Sequence, residues 1–73
     1  MDVTVQAAVA GIVWKIEVKP GDRVAASDPV VILECMKMEI PLLTDAAGTV
    51  REVLVAEGDV VSEGDPVAVV SAD

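Results

Sequence analysis

Seventy-three residues allow one domain at most, and a chain this short buries only about 60% of the surface its unfolded form exposes. Thirteen acidic and five basic residues leave a net charge of −8, which is repelled by the phosphates of nucleic acid and by an anionic membrane surface. With no His and one Cys, the chain can build neither a Ser-His or Cys-His nucleophile, nor a Cys/His metal site, nor an internal disulfide.

Apolar residues make up 53% of the chain, 16 of them Val, and Trp14 is the lone aromatic. β-branched side chains fit a pleated surface, so this composition predicts strands. Met1-Asp2 opens without the basic and apolar regions of a signal peptide, and no apolar run nears the ~20 residues of a membrane span. The expectation is an acidic, soluble, cytoplasmic β-domain whose charge serves solubility.

In chain order, Val3–Gln6 reads as a short strand and Gly11–Val18 as a second that bends at Gly11. Gly21-Asp22 is a turn, Val24 a brief extended piece and Ser27-Asp28-Pro29 a second turn. Pro29 opens a strand that runs to Glu34. The pattern then starts again: Glu39–Leu43, Gly48–Val55, a turn at Gly58-Asp59, a short strand near Val60-Val61, a turn at Gly64-Asp65-Pro66 and a strand Val67–Val70. Trp14 falls on or near the surface, and no helical period of useful length exists.

The restart is a true repeat. Shifted by 37 positions, the chain matches itself at Ala10, Gly11, Val13, Val18, Gly21, Asp22, Val24, Asp28, Pro29 and Val30, ten identities in the 24 positions from Ala10 to Leu33. Asp2-Val3-x-Val5 also lies over Glu39-Ile40-x-Leu42, so the two units run from about 2 to 34 and from 39 to 71. Solenoids need three or more units. Two copies predict a single sandwich or barrel, 1–73, with an internal two-fold and each unit covering the other's apolar face.

Val30 to Leu43 departs from this order, because 14 residues without Gly, Asn, Asp or Ser must hold both a strand end and a strand start. A tight turn belongs near Met36-Lys37. Hairpin turns favour Asn-Gly or Asp-Gly, since their central residues need positive φ, and Met-Lys is a poor choice at roughly 1–2 kcal/mol per strained residue. Four other turns use good turn chemistry, and local rules fail preferentially at functional sites. A lysine in a turn is by itself only a solvated charge, and flanking Glu34 and Glu39 would attract it weakly. The repeat, however, offers Lys37 no counterpart among these 73 residues.

Glu34-Cys35-Met36-Lys37-Met38-Glu39 resembles the attachment site of the biotinyl domain, the family of biotin carboxyl carrier proteins, whose signature is Glu-Ala-Met-Lys-Met-Glu. The resemblance covers nearly the whole chain. Family members carry a Gly 26 residues before the Lys and another 11 after it, where Gly11 and Gly48 stand here. Val-Lys-Pro-Gly-Asp at 18–22 and Val-Ala-Glu-Gly-Asp at 55–59 are similar to the family's repeated Val-x-x-Gly-Asp elements. The resemblance implies an all-β flattened barrel-sandwich of two four-stranded sheets with a quasi-two-fold axis, and terminal strands together at the end away from Lys37. Cys35 stands where Ala is usual and reads as a small hydrophobe in packing. The Pro often seen before the first Gly is absent from Ala8-Val9-Ala10-Gly11. Ser27 replaces the Gly of the second unit, Gly64, which calls for a different turn there. No thumb insertion separates Val24 from Pro29. The chain looks like the short free-standing biotinyl proteins, and a domain excised from a larger carboxylase would look the same.

The resemblance also implies a role. A biotin–protein ligase forms an amide between biotin and Lys37, with Met36 and Met38 as recognition residues and Glu34, Cys35 and Glu39 as the flanking motif. A biotin carboxylase then loads a carboxyl group onto the biotin, and a carboxyltransferase unloads it onto an acyl-CoA or 2-oxo acid. The chain is a carrier with no catalytic residue and no metal of its own. Two other readings use the same fold: a lipoyl carrier, which usually shows Asp-Lys-Ala at the tip, and an unmodified barrel-sandwich module for protein contact.

Overall fold

The structure is a computed structural model and describes all residues 1–73. Eight strands follow one another: β1 (Asp2–Gln6), β2 (Gly11–Ile16), β3 (Arg23–Val24), β4 (Pro29–Cys35), β5 (Met38–Leu43), β6 (Gly48–Val53), β7 (Val60–Val61) and β8 (Pro66–Ala72). They form two antiparallel four-stranded sheets, ordered β1-β8-β6-β3 and β5-β4-β2-β7. Adding four to each strand number, and counting past eight to one, turns one order into the other. The repeat is therefore the symmetry of the fold.

The two units interlock, which differs from the expectation that each would simply cover the other. β1 and β3 of the first unit lie in the sheet built on β6 and β8 of the second, while β5 and β7 lie beside β2 and β4. The reason is topological. Each short arch between strands crosses from one sheet to the other, so neither unit can keep its strands in a single layer. The predicted strands Gly11–Val18 and Gly48–Val55 end two residues early, as the chain leaves for its turns. Glu17 N–H still donates to Val30 O at 2.9 Å, and Leu54 N–H to Val67 O at 2.8 Å. The last strand is longer than its predicted Val67–Val70, because both its neighbours pair with Ser71.

The core obeys the same shift. Its buried side chains fall into seven pairs 37 residues apart: Val5 with Leu42, Ala7 with Thr44, Val13 with Val50, Val24 with Val61, Val30 with Val67, Val31 with Ala68 and Leu33 with Val70. Each fully buried Val or Leu contributes roughly 1.5–3 kcal/mol. Thr44 is the buried polar member, and its hydroxyl is satisfied locally: it donates to Ala46 O at 2.9 Å and accepts from Ala46 N–H at 3.2 Å.

Four of the six arches, β2–β3, β3–β4, β6–β7 and β7–β8, close with one chemistry. In each, an Asp carboxylate accepts from the N–H three residues earlier: Asp22 from Lys19 at 3.0 Å, Asp28 from Ala25 at 2.8 Å, Asp59 from Ala56 at 2.9 Å and Asp65 from Ser62 at 2.8 Å. The residue before each Asp has positive φ, as the third position of a type II turn requires. Glycine fills it as Gly21, Gly58 and Gly64. Ser27 fills it in the fourth turn at φ 74°, so the sequence expectation of a different turn is corrected. The turn is kept because its hydrogen bonds hold it. Ser27 N–H donates to Thr44 O at 2.7 Å and Thr44 N–H to Asp28 O at 3.0 Å, as Gly64 and Ala7 bond in the other half.

The molecule measures 35 × 18 × 17 Å. β1 begins beside the end of β8, with Asp2 opposite Ser71, and runs to Gln6. The chain then crosses to Gly11, which starts β2 next to the end of β4. The two chain ends therefore lie at one end of the body, and the β4–β5 connection lies at the other.

Candidate functional site

β4 and β5 pair in unbroken register from Leu33 opposite Ile40, through Glu34 opposite Glu39, to Cys35 opposite Met38. This leaves two residues, Met36 and Lys37, to reverse the chain. They have φ values of 51° and 64°, the two left-handed central residues of a type I′ hairpin turn. Neither has the glycine or asparagine that eases this conformation. The strained tip expected from the sequence is present, and the strand pairing on both sides imposes it. Pro41 tolerates its place in β5 because β5 is an edge strand.

The six residues of the motif separate by environment. Met36 is 91% exposed and Met38 63% exposed, so two thioethers stand in solvent on either side of the Lys37 amine. Lys37 is exposed and belongs to none of the ion pairs, which join Lys15 to Glu17, Arg23 to Asp73 and Arg51 to Asp2. Glu34 and Glu39 face each other across the strands, exposed and likewise unpaired. Cys35 is half-buried and free.

The other lysines are placed differently. Lys15 lies within β2 with its amine 3.4 Å from Glu17, and Lys19 opens an Asp turn. Only Lys37 stands at a hairpin tip. Its amine can be acylated without breaking any contact, which fits a group held through an amide.

Gly11 supports the tip from below. A Cβ on it would sit 2.8 Å from Glu34 O and 3.6 Å from the Cys35 Cβ, so the missing side chain lets β2 close against the base of the hairpin. Gly48 does the same against Ser71 at the other end. The spacing of both glycines from Lys37 was visible in sequence, but the carbonyls they make room for were not. Sequence reasoning also passed over Ile12 and Val60, which pair directly and are 47% and 78% exposed, beside Trp14 at 47%. Comparing the two units position by position would have flagged them.

Comparison with known proteins agrees with this geometry. The family model described as "Biotin-requiring enzyme" matches residues 2–70. The chain is 50% identical over 42 residues to the biotin/lipoyl attachment protein of Bacillus subtilis (strain 168), covering 58% of each. It is 51% identical over 37 residues to the glutaconyl-CoA decarboxylase subunit gamma of Acidaminococcus fermentans, covering 51% of this chain and 26% of that protein. The alignments thus span less than two thirds of either relative. In structure it is similar to the Kluyveromyces lactis urea carboxylase, with a TM-score of 0.93 at 35% identity over 97% of this chain and 6% of that one. A single-chain, multi-domain long-chain acyl-CoA carboxylase matches with a TM-score of 0.91 at 33% identity, over 99% of this chain and 7% of that one. An all-β barrel-sandwich that raises one unpaired lysine between two methionines, matched by these relatives, belongs to the biotin/lipoyl-attachment domain family, and the chain is a biotin carrier domain.

Proposed function

We propose that biotin is attached to this chain at Lys37, and that residues 1–73 act as one biotinyl unit built from the repeats at about 2–34 and 39–71. The observation that carries the reading is the unpaired Lys37 amine, alone among the lysines at a hairpin tip. A biotin–protein ligase joins the Lys37 Nζ to the carboxyl carbon of biotin as an amide. ATP supplies the activation and leaves as AMP and pyrophosphate, and the amine gives up a proton. Met36 and Met38 are recognition residues, since exposed, flexible thioethers adapt to more than one partner surface. Glu34, Cys35 and Glu39 form the flanking motif.

Once attached, biotin supplies a nitrogen that carries a carboxyl group between a biotin carboxylase and a carboxyltransferase. The chain contributes position and no catalytic group. Its rigid body holds the arm at one end, and tethering presents the cofactor at high effective concentration to both partners. The long-chain acyl-CoA carboxylase and urea carboxylase relatives support a place in a biotin-dependent carboxylase system. Acylation removes the Lys37 charge and makes the net charge one unit more negative than −8.

The test is intact mass after co-expression with a biotin–protein ligase and biotin, beside a Lys37→Arg control. One biotin adduct on the native chain and none on the control is the expected result. An adduct that survives in Lys37→Arg, or no adduct on the folded chain, would overturn the assignment.

A further inference from the structure

The two outer sheet faces are related by the repeat, and they are not alike. At the hairpin end, one row across the sheet reads Val60, Ile12, Glu34, Glu39, each directly opposite the next. The equivalent row at the far end reads Arg23, Thr49, Ser71, Asp2. Trp14, which bulges from β2, has Arg51 as its counterpart.

The far row satisfies itself. Arg23 is held by Asp73 in a two-bond contact at 2.8 Å and reaches Thr49 Oγ1 at 3.5 Å, while Arg51 pairs with Asp2. At the hairpin end the same backbone carries three exposed apolar side chains, Ile12, Trp14 and Val60, next to two carboxylates, Glu34 and Glu39, that have no ion-pair partner. The scaffold plainly accepts polar residues at these positions, so the fold does not require the apolar ones. A surface that is apolar on one side and anionic on the other complements an apolar patch edged by Lys and Arg.

Position selects the occupant. Ile12 lies opposite Glu34, three residues and about 10 Å of strand from Lys37. An enzyme that acylates the bare amine must bring its reacting atoms to Nζ itself, so its surface has to rest on the hairpin and the face behind it. A partner that works on the finished arm meets it farther out. We propose that Ile12, Trp14 and Val60, edged by Glu34 and Glu39, form the docking face for the biotin–protein ligase, which meets it with an apolar patch bordered by basic side chains. This rests on the assignment of Lys37 as the attachment residue.

The test grafts the far row onto the near one. Ile12→Thr, Trp14→Arg and Val60→Arg together install residues that this fold already carries at equivalent positions, and circular dichroism checks folding. With purified ligase, biotin and ATP, the KM for the apo chain should rise at least tenfold with kcat changed less than threefold. Thr49→Ile with Arg51→Trp on the opposite face should leave both unchanged. Glu34→Gln with Glu39→Gln should raise KM and weaken its dependence on salt. A folded triple variant acylated at Lys37 with native KM would overturn the docking face and leave the attachment assignment standing. A native chain that takes no biotin on Lys37 would overturn both. A native chain that dimerises in sedimentation while the triple variant is a monomer with native KM would assign the face to a second copy and overturn the proposal.

Discussion

The two halves of this chain share a backbone and differ in what they hang on it. Residues 2–35 and 39–72 give the same strands, the same interlocked pairing and the same Asp turns. The β4–β5 pairing and the β8–β1 pairing also correspond, Glu34 with Glu39 and Ser71 with Asp2. One of these pairs is joined by Met36 and Lys37, and the other holds its register with no connection between the strands. A tip is therefore not needed to keep such a pair together. The residues chosen for it are free to serve chemistry, and the strain they carry is tolerated because the strands on each side over-determine it.

Exchanging features between the halves tests how far they are equivalent. The largest expected effect on stability is at the glycines. Gly48→Ala places a Cβ 2.1 Å from Ser71 O and 2.9 Å from the Ala72 Cα, both rigid backbone, and should cost about 3 kcal/mol. Gly11→Ala meets Glu34 O at 2.8 Å and should cost about 1–2 kcal/mol. Urea unfolding of both variants measures the difference, and equal costs would mean the two ends are packed alike.

Next comes the tip. Met36→Asn with Lys37→Gly supplies the residues that a type I′ turn prefers, and should stabilise the chain by about 1–2 kcal/mol while removing the biotin adduct. A less stable variant would show that Met36 and Lys37 bear on packing after all. A smaller gain, about 0.5–1 kcal/mol, is expected for Ser27→Gly, which relieves a left-handed residue that the other half fills with Gly64. Gly64→Ser should lose a similar amount, so thermal melts of the pair ought to move in opposite directions.

The smallest effect is electrostatic. Hydrogen bonding to the Arg23 guanidinium holds the Asp73 carboxyl below its usual value, and the same contact raises Arg23. A carboxyl depressed in the folded state adds stability above the ordinary carboxylate range, and loses it as pH falls through the lowered value. The pair is fully exposed, so the contribution is slight. Arg23→Ala should return the Asp73 titration, followed by NMR, to the ordinary range and flatten the acid limb of stability. No movement of Asp73 would show that the pair does not persist in solution.

Much of this was legible in the residues themselves. The 37-residue repeat carries the two-fold, because identical spacing of Val, Gly and Asp places identical core faces and turns. The misfit of Met36-Lys37 with turn chemistry marks the tip, since a hairpin there demands positive φ from residues that resist it. The net charge of −8 and the absence of His among these residues are likewise read directly from the sequence. Tertiary structure decided the rest. Ser27 keeps its left-handed conformation with help from Thr44, distant in sequence, which accepts from the Ser27 N–H and donates to Asp28 O. The units trade strands between sheets because their arches cross layers, which no local pattern records. Ile12 meets Val60 and Glu34 through pairings between residues far apart along the chain, so their common face beside Lys37 exists only once the sheet has closed.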